Sequence, residues 1–258
     1  HPAFGMGMFH RLPATMARLG ELPNCFESGI GFDYDAHGHE GAVGIERSFE
    51  PWSNANLVPV VVPALEGIAD RLRQGAMVAD IGCGAGSAVC TLGAAFPASR
   101  FVGYDISRHA LDIAREKAES RGLGNVRFVD PRDEAIPATP TYDLVTTFDC
   151  LHDMTQPARM VSTIKSSLKD DGTWLLVDIK ALDTIEENVS KNPMAALMYG
   201  ISVLSCMASA LSEADGEGLG TLGLSANRAE SYARGVGFTR FRQLDIPHSV
   251  NAFYEIRP

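Results

Sequence analysis

The stretch Val78-Ala79-Asp80-Ile81-Gly82-Cys83-Gly84-Ala85-Gly86 decides how this chain is read. A largely apolar run, of the kind that forms a strand buried on both faces of a parallel sheet, ends abruptly in three glycines spaced two apart. Glycines between a strand and a helix let the backbone take torsions closed to other residues. They also let a ligand come closer than any Cβ would permit. A ligand-binding loop is therefore expected here.

Upstream, Leu57, Val60, Val61, Ala64, Leu65, Ile68, Ala69 and Leu72 recur at helical spacing over residues 56–73. Pro59 and Pro63 press the start of that helix downstream. Residues 77–81 follow as the first strand. Downstream, residues 87–96 read as a helix closed by Pro97, and residues 100–104 as a second strand ending in Asp105. An acid roughly 20 residues past a glycine loop, at the tip of the next strand, is where nucleotide-binding βαβ units hold a ribose diol. Its two oxygens suit two adjacent hydroxyls.

The alternation continues with a helix over 109–121 and a third strand over 126–129 that leads into Asp130 and Asp133. The fourth strand, 142–148, delivers Asp149, Cys150, His152 and Asp153 to the same sheet edge. A helix over 157–168, a turn at Asp171-Gly172 and a fifth strand over 173–178 come next. Strands alternating with helices imply right-handed crossovers. The expected fold is α/β: a Rossmann-like, doubly wound, seven-stranded, mostly parallel sheet with an antiparallel last strand.

Two parts depart from the alternation. Residues 183–224 form a helical insertion after the fifth strand, with a helix over 194–211 and a glycine-rich run at 216–223. A helix over 226–235 and strands at 238–244 and 251–256 close the chain. Residues 1–50 read as irregular, being rich in Gly, Pro and Met and then polar. They are either a linker or a lid over the ligand, with Tyr34, Glu46 and Arg47 as contact candidates. His37 and His39 have no third ligand in view, so no metal is expected. The division is thus an arm, 1–55, and a ligand-binding domain, 56–258.

Composition narrows the partners. With 258 residues, 45% of them hydrophobic, the chain can bury one substantial core. A formal charge of -10 opposes binding to a phosphate backbone, so no nucleic acid is expected. The most apolar segment, 194–210, is interrupted by Gly200, Ser202, Ser205 and Ser209, so no membrane span is expected. Five cysteines without a C-x-x-C spacing fit a reduced, cytoplasmic protein, and no leader pattern is seen. The chain opens with His1-Pro2 and no methionine, as a piece of a longer chain would.

Nicotinamide, flavin and S-adenosylmethionine sites share this strand, loop and acidic tip. Here the pattern is D-x-G-x-G-x-G, not the G-x-G-x-x-G of a pyrophosphate loop. The leading Asp80 suits a ligand with a cationic amino acid end. The run resembles the first motif of class I S-adenosylmethionine-dependent methyltransferases, and the resemblance extends over residues 56–258. Phe101-Val102-Gly103-Tyr104-Asp105 resembles the second motif. Asn125-Val126-Arg127-Phe128 with Asp130 or Asp133 resembles the third, and Tyr142-Asp143-Leu144-Val145 and residues 168–178 resemble the last two.

The resemblance implies S-adenosylmethionine as cofactor. It places Gly82, Gly84 and Gly86 around the cofactor, with Asp80, or Asp149 and the Phe148 carbonyl, on its ammonium. Asp105 would face the ribose, Asp130 or Asp133 the adenine, and Ile106 would also touch the cofactor. Cys150-Leu151-His152-Asp153 resembles the L-H-D-W motif of small-molecule O-methyltransferases, whose histidine is the general base, which makes His152 and Asp153 catalytic candidates. The other reading of His152 is a residue packed at the start of a helix, with Asp153 or Thr155 as the cap. Residues in the insertion resemble methyltransferases that carry an N-terminal winged-helix segment, of which residues 1–50 would be a remnant. In them the insertion roofs the acceptor pocket, which adds Met194, Met198, Tyr199, Cys206 and Met207 to Tyr34 as acceptor contacts.

Two functions are carried forward. One is methyl transfer to a small-molecule hydroxyl or thiol by in-line displacement. The other is a sensor that binds S-adenosylmethionine without turnover. A second copy of the chain is the one macromolecular partner left open.

Overall fold

The computed structural model describes residue 1 and residues 5–258. Its centre is a seven-stranded sheet of β1 (Met77–Ile81), β2 (Arg100–Tyr104), β3 (Val126–Val129), β4 (Tyr142–Phe148), β5 (Leu168–Ile179), β6 (Arg240–Leu244) and β7 (Asn251–Arg257). The spatial order is β3-β2-β1-β4-β5-β7-β6. β1 to β5 are parallel, and β7 runs antiparallel to both of its neighbours. The order reverses beside β1, so the C-terminal ends of β1 and β4 open a crevice between them, the usual ligand position in such sheets.

The strands are apolar because both faces are covered. Along β1 the alternation sends Val78 into one core, with Leu72, Val89, Phe101 and Phe253. Ala79 and Ile81 point into the other, with Tyr104, Tyr142, Trp174 and Ile164. Trp174 is fully buried, and its indole nitrogen donates to Thr147 Oγ1 at 3.0 Å.

β5 is longer than expected and begins at Leu168, running through Asp171-Gly172 as strand, with a register shift opposite Tyr142 and Leu144. The expected helix over 56–73 is also different. Helix already begins at Gly38 and runs to Asn56, passes through a π turn at Leu57–Val61, breaks at Leu65 and resumes over Ile68–Gln74.

The arm is where sequence and structure differ most. Residues 6–16, 22–28 and 38–56 are helical rather than irregular. Helix Met6–Met16 lies along helix Gly38–Asn56 at glycine contacts: a Cβ at Gly44 would meet Arg11 Cβ at 2.5 Å. Those glycines lower helix propensity, yet they are what lets the two backbones approach. Pro13 and Pro51 sit inside the same two helices.

In the insertion, the continuous helix expected over 194–211 is two pieces, Ala195–Leu204 and Cys206–Ala210, and a further helix, Ile185–Lys191, precedes them. The break falls at Ser205, whose torsions leave the helical region. Among the described residues no helix is long and apolar enough to cross a membrane.

Candidate active site

The glycine loop is fastened to the tip of β2. The amides of Gly82 and Cys83 both donate to Tyr104 O, at 2.8 and 3.0 Å, and Gly86 N closes a turn on Cys83 O. Gly86 has φ 76° and immediately precedes helix Ser87–Ala95. Gly84 also has positive φ, and a Cβ there would meet no atom within 4 Å. The loop therefore leaves open space beside Gly84.

Acids surround that space. Asp105 accepts from Gly84 N at 2.7 Å and from Ser107 N at 2.8 Å. Burial pushes its carboxyl up, the two amides pull it down, and the charge of Asp35 adds to the upward push. Asp80 is 3% exposed and accepts from Thr146 Oγ1 at 2.6 Å. Burial raises it to about 7, against the Thr146 bond and with the help of Asp105.

At the third-strand tip Asp130 is the buried acid, and Asp133 is exposed. Arg132 takes Asp130 in a two-pronged contact, Nε at 2.9 Å and Nη2 at 2.6 Å, and also donates to Ile106 O at 2.5 Å. Its hydrogen bonds hold the Asp130 carboxyl below the usual range.

β4 delivers the remaining groups. Asp149 has φ 49°, the single positive φ outside glycine among the described residues, and accepts from Asn251 Nδ2. Burial pushes it up to about 8, with the charge of Asp178 adding. His152 lies in the turn Leu151–Asp153 and is 1% exposed. Its Nδ1 meets Asp178 Oδ1 at 2.5 Å, and its Nε2 approaches Asp153 Oδ1 at 3.1 Å.

Burial alone lowers the His152 pKa, but Asp153 and Asp178 outweigh it and raise the ring well above the usual imidazole range. Asp178 Oδ2 is buried without a hydrogen-bond partner, and Asp153 Oδ1 has only the approach of Nε2. Buried acceptors left unmet are costly, and a donor entering beside them relieves that cost.

The roof comes from the insertion and the arm. Gly220 N donates to His152 O at 3.1 Å and Glu217 N to Thr155 O at 2.8 Å, which lays the glycine-rich run over the histidine turn. Cys206 Sγ falls within 4.8 Å of the polar atoms of both His152 and Asp153. Tyr34 Oη lies 3.7 Å from Cys206 Sγ and accepts from Ser205 Oγ at 3.3 Å.

Of the acceptor candidates, Tyr34 and Cys206 thus converge on His152. Met198 and Tyr199 are half-buried on helix Ala195–Leu204, and Phe148 is half-buried at the end of β4. Glu46 and Arg47 are engaged elsewhere: Glu46 pairs with Lys117 and Arg47 Nη1 contacts His10 Nδ1 at 3.2 Å, so both fasten the arm. His37 is buried and His39 exposed.

Sequence reading missed three participants: Asp178, Ser107 and Arg132. Asp178 carried a signal, since it ends the strand that pairs with β4, where Thr147 and Phe148 stand beside Leu176 and Val177.

Comparison with known proteins bears on the domain type and the fold. A family described as "Methyltransferase domain" matches residues 79–174. An uncharacterised methyltransferase of Bacillus subtilis, YcgJ, is 29% identical over 102 residues, 39% of this chain. The match spans about 40% of the length of that curated relative.

Among solved structures, a putative O-methyltransferase from Nostoc punctiforme superposes with TM-score 0.71 at 14% identity, over 98% of this chain and 71% of that one. An O-methyltransferase family 2 protein from Planctomyces limnophilus, solved with apigenin, gives TM-score 0.57 at 19% identity, over 85% and 60%. At those identities the likeness is one of fold. Strand order, glycine loop and matched segment together mean that the chain carries a methyltransferase domain of the class I S-adenosylmethionine-dependent type.

Proposed function

We propose that this protein transfers the methyl group of S-adenosylmethionine to a hydroxyl or thiol of a small-molecule acceptor, with His152 as general base. The observation that carries the reading is the buried His152 held between Asp178 and Asp153, on the sheet edge that also bears the open glycine loop. Relatives of this fold include an enzyme solved with apigenin, a phenolic small molecule.

The residues fit the cofactor. Gly84 leaves room for it, Asp80 and Asp149 are buried carboxyls able to face its ammonium, and Asp105 retains lone pairs for two hydroxyls. Asp130 with Ile106 forms the wall on the adenine side, with Asp133 outside it. When bound, the sulfonium supplies an electrophilic methyl group. The protein aligns the acceptor and, for a hydroxyl, removes its proton.

Asp178 holds Nδ1, so an acceptor hydroxyl would reach Nε2 in place of its 3.1 Å contact with Asp153. In the transfer the acceptor's O–H bond would break toward Nε2 while its oxygen bonds to the methyl carbon, whose bond to sulfur would break and leave its electron pair on the sulfur. Asp153 lies beside that nitrogen and stabilises the imidazolium formed. A thiol needs this help less, being partly ionised near neutral pH. Residues 1–55 serve as an arm over the site, 56–258 as the methyltransferase domain and 183–224 as its cap. The five free cysteines suit a cytoplasmic setting.

The direct test is methyl transfer from labelled S-adenosylmethionine to a panel of phenols, thiols and amines. Methylated phenol or thiol is expected. Tight S-adenosylhomocysteine binding with no product across the panel would favour the sensor.

Asp80 gives a second test. Its carboxyl ionises around pH 7, and only the ionised form attracts an ammonium. S-adenosylhomocysteine affinity should therefore rise between pH 6 and pH 8. Asp80→Asn should flatten that slope and weaken binding by about 10- to 100-fold, the value of a charge-assisted hydrogen bond. Calorimetry at three pH values decides it, and a flat wild-type profile would remove Asp80 from the ammonium site.

A further inference from the structure

The arm reaches the cofactor edge as well as the acceptor edge. Asp33 caps the turn Tyr34–His37 by accepting from Ala36 N at 3.1 Å, and the turn places Asp35 Oδ1 2.8 Å from Ser107 Oγ, which donates to it. Ser107 also donates its amide to Asp105 and caps helix Arg108–Ser120. One serine thus ties the arm to the acid assigned to the ribose.

Asp35 and Asp105 are gathered on the same serine, one accepting from its hydroxyl and the other from its amide, each at 2.8 Å, and the charge of Asp35 pushes the Asp105 carboxyl up. Arg132, the nearby cation, is taken up by Asp130 and Ile106 O, although Asp35 and Asp33 both act on it. Two carboxylates brought together without a shared cation are unfavourable. A ligand with two adjacent hydroxyl donors resolves the conflict, and a ribose diol is such a ligand. At the other end of the same turn, Tyr34 touches Ser205 and Cys206 above His152.

We propose that Asp35 is a cofactor-contacting residue, pairing with Asp105 across the ribose diol, so that cofactor binding and docking of the N-terminal arm are one linked equilibrium. The inference rests on the S-adenosylmethionine reading above. Its consequence is order: the nucleoside settles Asp35, the turn settles with it, and Tyr34 then completes the acceptor roof. Linkage requires reciprocity, so whatever the arm adds to cofactor affinity, the cofactor adds to arm docking.

The experiment uses the full chain, wild type and Asp35→Ala, with S-adenosylhomocysteine and its 2′,3′-dideoxy analogue as probes. Calorimetry reads affinity, and tryptic cleavage after Arg18 reads arm docking. Thermal melting first establishes that the variant folds; Asp35→Asn, which keeps an acceptor for Ser107, takes its place if it does not. The expected result is a loss of about 5- to 50-fold in S-adenosylhomocysteine affinity on substitution, in the range of linked sites. That loss should shrink toward onefold with the dideoxy analogue, and S-adenosylhomocysteine should protect the arm in wild type but not in the variant.

Unchanged affinity and protection in the variant would overturn the role of Asp35 alone. So would an equal loss for both probes, which marks a purely structural contact. A wild-type chain that binds neither probe would overturn the cofactor reading itself and this inference with it.

Discussion

His152→Gln is expected to lower kcat for a hydroxyl acceptor by about 10²- to 10⁴-fold, the usual contribution of a positioned general base. Glutamine keeps a polar group of similar reach but accepts no proton at neutral pH. On the proposed assignment S-adenosylhomocysteine affinity should stay within about threefold, because Asp80, Asp105 and the glycine loop are untouched. His152→Ala is the poorer variant. It strands Asp153 and Asp178 in the interior without the imidazolium between them, and an uncompensated buried charge costs about 3–5 kcal/mol. Melting temperature and cofactor affinity, measured on the same preparation, separate lost chemistry from lost fold.

The pH profile adds a sign that a structural histidine would not show. A base works only when neutral, and Asp153 and Asp178 hold this ring protonated above the ordinary imidazole range. The rising limb of kcat/KM should therefore have its midpoint above about 6.5, the unperturbed imidazole value. Asp178→Asn removes one of the two charges that raise it and should move the limb to lower pH. If His152→Gln kept full turnover, or if the limb stayed in place in Asp178→Asn, the base assignment would be wrong.

Gly86→Ala and Gly84→Ala should fail in opposite ways. At Gly86 a Cβ would meet the Phe128 ring at 2.7 Å and Ala114 Cβ at 2.9 Å, with φ 76° besides. Overpacking costs about 1–3 kcal/mol and the left-handed conformation about 1–2 more. A chain of this size should lose about 5–15 °C in melting temperature.

At Gly84 the added methyl meets nothing, so only the torsional cost applies and the chain should melt within about 5 °C of wild type. That methyl points into the space assigned to the cofactor, and S-adenosylhomocysteine affinity should fall more than about tenfold. Gly84→Ala binding as tightly as wild type would mean that the cradle lies elsewhere.

How much of this was legible depended on whether the signal was local. β1 to β4 were read at nearly their observed bounds because strands covered on both faces are apolar runs bounded by turn residues. Helix Ala226–Gly235 was read at its observed bounds. The arm was misread because Gly7, Gly44, Pro13 and Pro51 count against a helix in isolation. Their use is visible only once helix Met6–Met16 lies on helix Gly38–Asn56. The break at Ser205 was likewise hidden, since nothing in residues 194–211 says where tertiary contacts interrupt an apolar helix.

The sequence by itself determined the sheet, the glycine loop and the polar groups near its edge: Asp80 lies within β1, Asp105, Asp130 and Asp149 follow directly on β2, β3 and β4, and His152 lies in the turn after β4. Which of these groups meet was decided only in three dimensions. His152 found Asp178, 26 residues away, because β4 and β5 pair in parallel. Asp130 went to Arg132, and Asp35 reached Ser107 across 72 residues. Strand and turn preferences act through torsions and burial periodicity over a few neighbouring residues. The partner and protonation state of a carboxylate depend on through-space charge and desolvation, which exist only once distant segments have packed.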